Sequence, residues 1–295
     1  MVADPQRKGR RQTIKVEETV ILRFLYRSVP GRALLKLLVA PAVSRLCGRF
    51  MDSRFSRRFI QGFAERHKID PSKYEQREYV SFNDFFCRGL AQFSFDESLD
   101  SLISPCDAKL SAFPINQQQA FMIKGTPYSV ADLIENRELA SSYEGGICLI
   151  FRLSVDDYHR YCYIDDGTKG RNVFLPGQLH TVQPIALRRY DIYKENCREY
   201  TVMDTQHFGK VTQVEIGALL VGKIANHQQA GSFRKGEEKG MFLYGGSTIV
   251  LLLEKGKARV DEEFFENTAN SLETVVKIGE RIGTGISLFS EKRIE

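Results

Sequence analysis

The sequence predicts an α+β protein, with an N-terminal helical section followed by a β-rich body. Three observations carry that expectation. Over residues 19–58, apolar residues such as Leu22, Leu25, Leu35 and Leu38 alternate with basic ones at helical spacing. After about residue 100 the texture changes to short β-prone runs separated by turns. No repeat of fixed period and no low-complexity segment interrupts either part. The chain has 295 residues and is 42% hydrophobic, enough to fill a core.

Residues 1–18 are polar and of mixed charge, and they are expected to form a disordered tail. They lack the apolar run of a signal peptide. Residues 19–98 form the expected helical section. Pro30-Gly31 and Pro41 punctuate it into short helices. Between 19 and 58 there are nine basic residues and one acid, Asp52. Arg23/Arg27, Arg32/Lys36 and Arg45/Arg49 are each four apart, so each pair stacks on one helix face. Such helices suit a membrane interface, with leucines in the acyl boundary and cations near anionic headgroups. An ordinary amphipathic bundle with a solvated basic face is the alternative. No stretch of about 20 uncharged apolar residues occurs, so no spanning helix is expected. Helical character continues to His67, and Ser81 with Asp84 three residues later reads as a capped helix start.

Residues 99–295 form the expected β-rich body. Residues 147–153, 158–164, 181–187 and 200–203 read as strands. Residues 211–224 alternate in part and then become apolar on both sides. Six cysteines without CxxC spacing indicate a reducing compartment and no disulfide framework. The five histidines show no metal-ligand spacing, so no metal site is expected. There is no GxSxG elbow, P-loop or GxGxxG. The basic residues outside the N-terminal section form no nucleic-acid stripe.

Gly245-Gly246-Ser247-Thr248 interrupts an apolar run, and a serine hydroxyl beside an unshielded glycine carbonyl can attack its own backbone. The commoner role of such a step is a turn or bulge at a strand start. His159 lies in a β-prone region with polar and aromatic neighbours, and Asp107 follows Pro105-Cys106 at a strand start. Alone, each reads more simply as structural.

Together, six stretches in order resemble the phosphatidylserine decarboxylase family. They are Ser81 to Phe86, Ser104 to Asp107, Lys124 to Ser129, Asp157 to Arg160, Val182 to Ala186, and Lys235-Gly236-Glu237 through Gly246-Ser247-Thr248. The resemblance implies a self-cleaving proenzyme cut between Gly246 and Ser247 into a β chain, 1–246, and an α chain, 247–295. Ser247 would become a covalent pyruvoyl group, which serves as cofactor and Schiff-base site. The reaction implied is conversion of phosphatidylserine to phosphatidylethanolamine and carbon dioxide. By the same resemblance Asp107 orients and charges the self-cleavage base, and His159 donates a proton in decarboxylation or serves as a base. The partners implied are phosphatidylserine, an anionic membrane surface and the protein's own second chain, and a homodimer is left open. The location implied is the cytoplasmic face of a membrane, held peripherally. Two other readings stay open: a pyruvoyl enzyme for another serine lipid or a soluble amino acid, and a non-enzymatic membrane-associated binding module. The segment 211–246 also looks like the hybrid β-motif of lipoyl and sugar-phosphotransfer domains.

One departure from the family pattern stands out. The family commonly has two histidines three apart, and the second assists self-cleavage. Here the first is His159 and the second position is Cys162. His180 stands where many relatives carry a non-titrating residue, and it is the expected replacement base.

Overall fold

The computed structural model describes residues 11–15, 20–123, 126–187, 190–218, 223–243, 245 and 247–286. The N-terminal section consists of helices α1 (Val20–Arg27), α2 (Val29–Leu38) and α3 (Pro41–Met51), a 3-10 segment (Arg54–Phe59) and α4 (Ile60–Arg66). Pro30 and Pro41 sit in the first turns of α2 and α3, where a missing N–H costs nothing. Ser28 caps α2 by accepting from the Gly31 amide at 2.9 Å. A Cβ on Gly31 would lie 2.0 Å from the Phe24 carbonyl oxygen, so glycine is what lets α2 close on α1. Leu25, Tyr26, Leu35 and Val39 bury against Val182, Ile185, Ala186 and Ala218 of the body. The short helix α5 (Phe82–Phe86) starts at the sequence-predicted cap. Ser81 Oγ accepts from the Asp84 amide at 3.1 Å, and Asp84 reaches back to the Val80 amide at 2.9 Å.

In chain order the strands begin with β1 (Thr13–Ile14), β2 (Ser101–Ile103), β3 (Ala108–Pro114), β4 (Ala120–Ile123), β5 (Thr126–Ser129) and β6 (Ile147–Leu153). The middle group is β7 (Arg160–Cys162), β8 (Gly167–Lys169), β9 (Val173–Leu175), β10 (Arg198–Thr205), β11 (Gly209–Ile216) and β12 (Lys223–Asn226). The last are β13 (Gly231–Phe233), β14 (Glu238–Leu243), β15 (Ser247–Leu253), β16 (Ala258–Val260), β17 (Glu273–Val276) and β18 (Arg281–Gly285). The main antiparallel sheet runs β1-β17-β3-β6-β15-β11-β10-β8-β13, and β9 also pairs with β10. Smaller sheets are β12-β14-β7, β16-β18-β2 and β4-β5.

The main sheet is covered on both faces, which explains why its central strands are apolar on both sides rather than alternating. Leu149, Phe151, Ile249 and Leu251 face a core shared with Tyr161 and Phe242 of the β12-β14-β7 sheet. Cys148, Ile150, Val250 and Leu252 face a second core with Val130, Leu133 and Tyr143. Every residue of β15 is buried. Between the sheets lies a buried polar network. Lys239 Nζ donates to Glu215 Oε1 at 2.6 Å and to Asn226 Oδ1 at 2.9 Å.

Two segments differ from the sequence expectation. Residues 181–187 form no strand. A short helix, Pro184–Leu187, packs its Ile185 and Ala186 under α1 and α2. An apolar run of that length fits a buried helical turn as well as a strand, and Pro184 starts it. Arg11 and its neighbours, inside the expected tail, are pinned to the body. β1 pairs with β17, and Arg11 bonds Asp261, Glu263 and Glu280 while its guanidinium stacks on Phe264.

Candidate active site

Ser247 opens β15 opposite Leu153 of β6, at the edge of the core where β14 hands over to β15. Gly245 in that link has φ 111°, a conformation glycine adopts without a Cβ penalty. Tyr244 and Gly246 lie outside the described residues, as do Lys124 and Gly125. Ser247 is 0% exposed, and its Oγ has no hydrogen-bond partner among the described residues. A buried hydroxyl is normally satisfied, so an orphan here marks a place for chemistry or a missing partner.

Another such orphan belongs to His159, whose ring lies within reach of the Gly245 backbone, two residues before Ser247. His159 precedes β7, and its carbonyl accepts from the Phe242 amide at 3.0 Å, which ties it to the end of β14. Its Nδ1 lies 2.8 Å from the Asp157 carbonyl. A carbonyl only accepts, so Nδ1 carries the hydrogen and Nε2 is left with a lone pair. Nε2 makes no hydrogen bond of good geometry among the described residues, although the Gly245 backbone lies close enough to act on the ring. The Phe86 ring covers the imidazole at a centroid distance of 4.1 Å. Burial, aided by the Arg88 charge, pushes the His159 pKa down to about 3. The neighbouring backbone of Asp157 and Gly245 opposes that shift weakly. The imidazole is therefore neutral at ordinary pH.

Asp107, just before β3, accepts from the Ile278 amide at 2.9 Å and from Lys277 Nζ at 2.6 Å. Both of its oxygens are taken, and no Asp107–His159 hydrogen bond occurs among the described contacts. Asp157 orients His159 instead, through its carbonyl. Its carboxylate is held by Lys109 Nζ and, at 2.7 Å, by the Ser154 amide. Asp107 lies close enough for its charge to act on Asp157. The two carboxylates and two ammonium groups thus form one cluster behind the histidine.

His180 makes its own set of contacts. Its Nε2 meets Gln178 Oε1 at 3.0 Å, its Nδ1 lies 3.4 Å from Tyr26 Oη, and its ring stacks on Tyr190 at 4.1 Å. Burial lowers its pKa. No contact with Ser247 or His159 occurs among the described residues. Asn196 joins the two neighbourhoods at one remove, donating to the carbonyls of His180 and Gly217, each at 2.8 Å. Cys162 pairs with Glu238 across β7 and β14, and burial pushes its thiol up to about 12.

Sequence reasoning assigned no role to Lys109, Lys277, Asp157, Phe86 or Arg88. The adjacent Asp156-Asp157 pair two residues from His159 was a signal, but sequence does not say which aspartate turns inward.

Of the expected membrane-facing residues, Arg23, Arg27, Lys36, Arg45 and Arg49 are exposed, and Arg32 is half-buried with Nη1 on the Arg27 carbonyl at 3.0 Å. Large apolar side chains are exposed among them: Ile21 at 72%, Leu46 at 68% and Phe55 at 75%. No helix among the described residues is long and apolar enough to cross a membrane.

Comparison with known proteins follows the same lines. A family model described as phosphatidylserine decarboxylase matches residues 82–284. Phosphatidylserine decarboxylase proenzyme 2 of Clostridium acetobutylicum is 46% identical over 265 residues, covering 89% of this chain and 91% of the relative. The proenzyme of Ruminiclostridium cellulolyticum is 39% identical over 274 residues, covering 90% and 91%. That of Clostridium perfringens (strain ATCC 13124) is 38% identical over 279 residues, covering 91% and 95%.

Proposed function

Because the chain belongs to the phosphatidylserine decarboxylase family, we propose that it is a proenzyme that cuts itself between Gly246 and Ser247 and then decarboxylates phosphatidylserine. The observation that carries this reading is the pair of buried, unpartnered atoms Ser247 Oγ, at the start of β15, and His159 Nε2, whose residue meets Phe242 and Gly245 in the segment leading to it. A hydroxyl nucleophile needs a base to take its proton, and a neutral imidazole with a free lone pair is such a base. The residues present fit a pyruvoyl group at position 247. The position is enclosed, and Leu153 and Tyr158 line the same core. When formed, that group supplies an electron-withdrawing carbonyl that takes up the electron pair released as carbon dioxide departs. The chain's own residues exclude water, and His159 Nε2, neutral at rest, carries to the product carbon a proton that it first takes from the substrate ammonium. The Asp107–Lys277 and Asp157–Lys109 pairs fix the loop that aims the imidazole.

The substrate class follows from the other end of the molecule. Exposed apolar side chains interleaved with cations on α1 to α3 form a surface for an anionic bilayer. A peripheral position on such a membrane brings a lipid headgroup to the body. Intact mass spectrometry tests the cleavage. Two chains are expected, and the smaller one should be lighter by one ammonia than a peptide starting at an intact Ser247. A single uncut chain that releases no carbon dioxide from phosphatidylserine vesicles would refute the proposal. Activity on phosphoserine equal to that on vesicles would refute the lipid specificity.

A further inference from the structure

The family's usual second histidine is Cys162 in this chain, so the base for self-cleavage has to be found among the residues present. Burial disfavours the Cys162 thiolate. Both His180 nitrogens have neighbours, Gln178 and Tyr26, and its ring is stacked on Tyr190. The carboxylates of Asp107 and Asp157 are occupied by Lys277 and Lys109. His207 and His227 pair with Asp165 and Glu238, and His67 packs on Phe63 in the helical section. His159 alone among the described histidines has a buried nitrogen with no partner.

We propose that one residue, His159, carries out both proton-transfer tasks in this chain, as the base of self-cleavage and then as the proton carrier of decarboxylation. This rests on the decarboxylase reading above and names the base that reading leaves open. His159 Nε2 takes the Ser247 Oγ proton as Oγ bonds to the Gly246 carbonyl carbon. It returns that proton to the Ser247 nitrogen as the Gly246–Ser247 C–N bond breaks, which leaves an ester and a free amine. Nε2 next takes the Ser247 Cα proton. The electron pair forms Cα=Cβ, the Cβ–Oγ bond breaks, and Gly246 leaves as a carboxylate. His159 delivers its proton to Cβ, and water then displaces ammonium from Cα to leave the ketone. The imidazole ends neutral, as it began, ready for the second task.

The orienting group suits this repeated use. A carboxylate on Nδ1 would stabilise the charged imidazolium, whereas the neutral Asp157 carbonyl fixes the ring and favours its charge less. The proton is therefore borrowed at each step and passed on.

The test follows cleavage of the full chain over time by intact mass, in wild type, His159→Gln, His159→Ala and His180→Ala. The expected result is wild-type cleavage in His180→Ala and a fall of about 10²–10⁴-fold in the His159 variants. Added imidazole should restore cutting to His159→Ala, which separates a lost base from a lost fold. Hydroxylamine, which cleaves esters, should release no fragments from His159→Ala without imidazole. The rescued two-chain His159→Ala protein, freed of imidazole, should release little carbon dioxide from phosphatidylserine vesicles. Full cleavage in both His159 variants, or loss of cleavage in His180→Ala alone, would overturn the first task. Full decarboxylation by the rescued protein would overturn the second. An uncut wild type would instead refute the decarboxylase reading itself.

Discussion

The helical section and the sheet interior break opposite halves of the same rule. Residues 20–59 put large apolar side chains into solvent, with Ile21, Leu46 and Phe55 each mostly exposed beside arginines. The sheet interior does the reverse, and encloses Lys239, Glu215, His159 and Ser247 at 0% exposure. Burying polar groups and exposing apolar ones both cost stability, so each departure points to a use. Two pairs among the interior polar groups contrast. Lys239 and Glu215 satisfy each other, whereas Ser247 Oγ and His159 Nε2 are satisfied by nothing described. The first pair holds sheets together, and the second is the pair proposed above to react.

Substitutions in the two regions should therefore act on different readouts. The largest effect is expected for Lys239→Met, which strands the Glu215 charge and should cost about 3–5 kcal/mol in urea unfolding. Adding Glu215→Leu should recover most of that loss. If the single variant is as stable as wild type, the pair is not what joins β14 to β11. Next, a triple Arg23→Gln, Arg45→Gln, Arg49→Gln protein should keep its unfolding midpoint but lose vesicle affinity. At about 1 kcal/mol per cation, three changes weaken binding to anionic vesicles by roughly 100-fold. Undiminished co-sedimentation would make these helices purely structural. The smallest effect concerns acid. Burial and Arg88 hold His159 near 3 against an ordinary 6.5, while the charge of Asp156 opposes the shift. The unfolded chain thus binds this proton first, and stability present above pH 6.5 is lost as pH falls toward 3. The loss is about 1.4 kcal/mol per pH unit, or about 2 kcal/mol by pH 5. His159→Gln should lack that component, so equal acid sensitivity in both proteins would contradict a buried neutral imidazole.

Much of the fold was legible because it rests on local pattern. The run 147–153 is β6 without adjustment, and Ser81 with Asp84 caps α5 as spaced. The misread segment, 181–187, is a short apolar run whose period does not distinguish a strand from a helical turn. Residues 11–15 were illegible for another reason. Arg11 looks like tail charge until the chain brings Glu280 to it from 269 residues away. The candidate site was legible in its residue types but not in its geometry. Ser247, His159 and Asp107 could be singled out, yet every residue has a carbonyl, so nothing marked that of Asp157 as the partner of His159. Ring direction is equally invisible, and His180 shows why: the same letter serves to bind Tyr26 of α1 to the body.

The position of β15 has one more consequence. It lies between β6 and β11, and β17 lies between β1 and β3. A cut before Ser247 therefore gives a small fragment whose two longest-range strands are each gripped on both sides by the large one. Arg11 adds a clamp from the large piece onto Asp261, Glu263 and Glu280 of the small one. Such a fragment is an inlay rather than a released peptide. It cannot leave without opening five hydrogen-bonded ladders, the fifth joining β18 to β2, and a copy made separately would have to thread the middle of a finished sheet. The order of events is thereby fixed, since the chain must fold whole before it is divided.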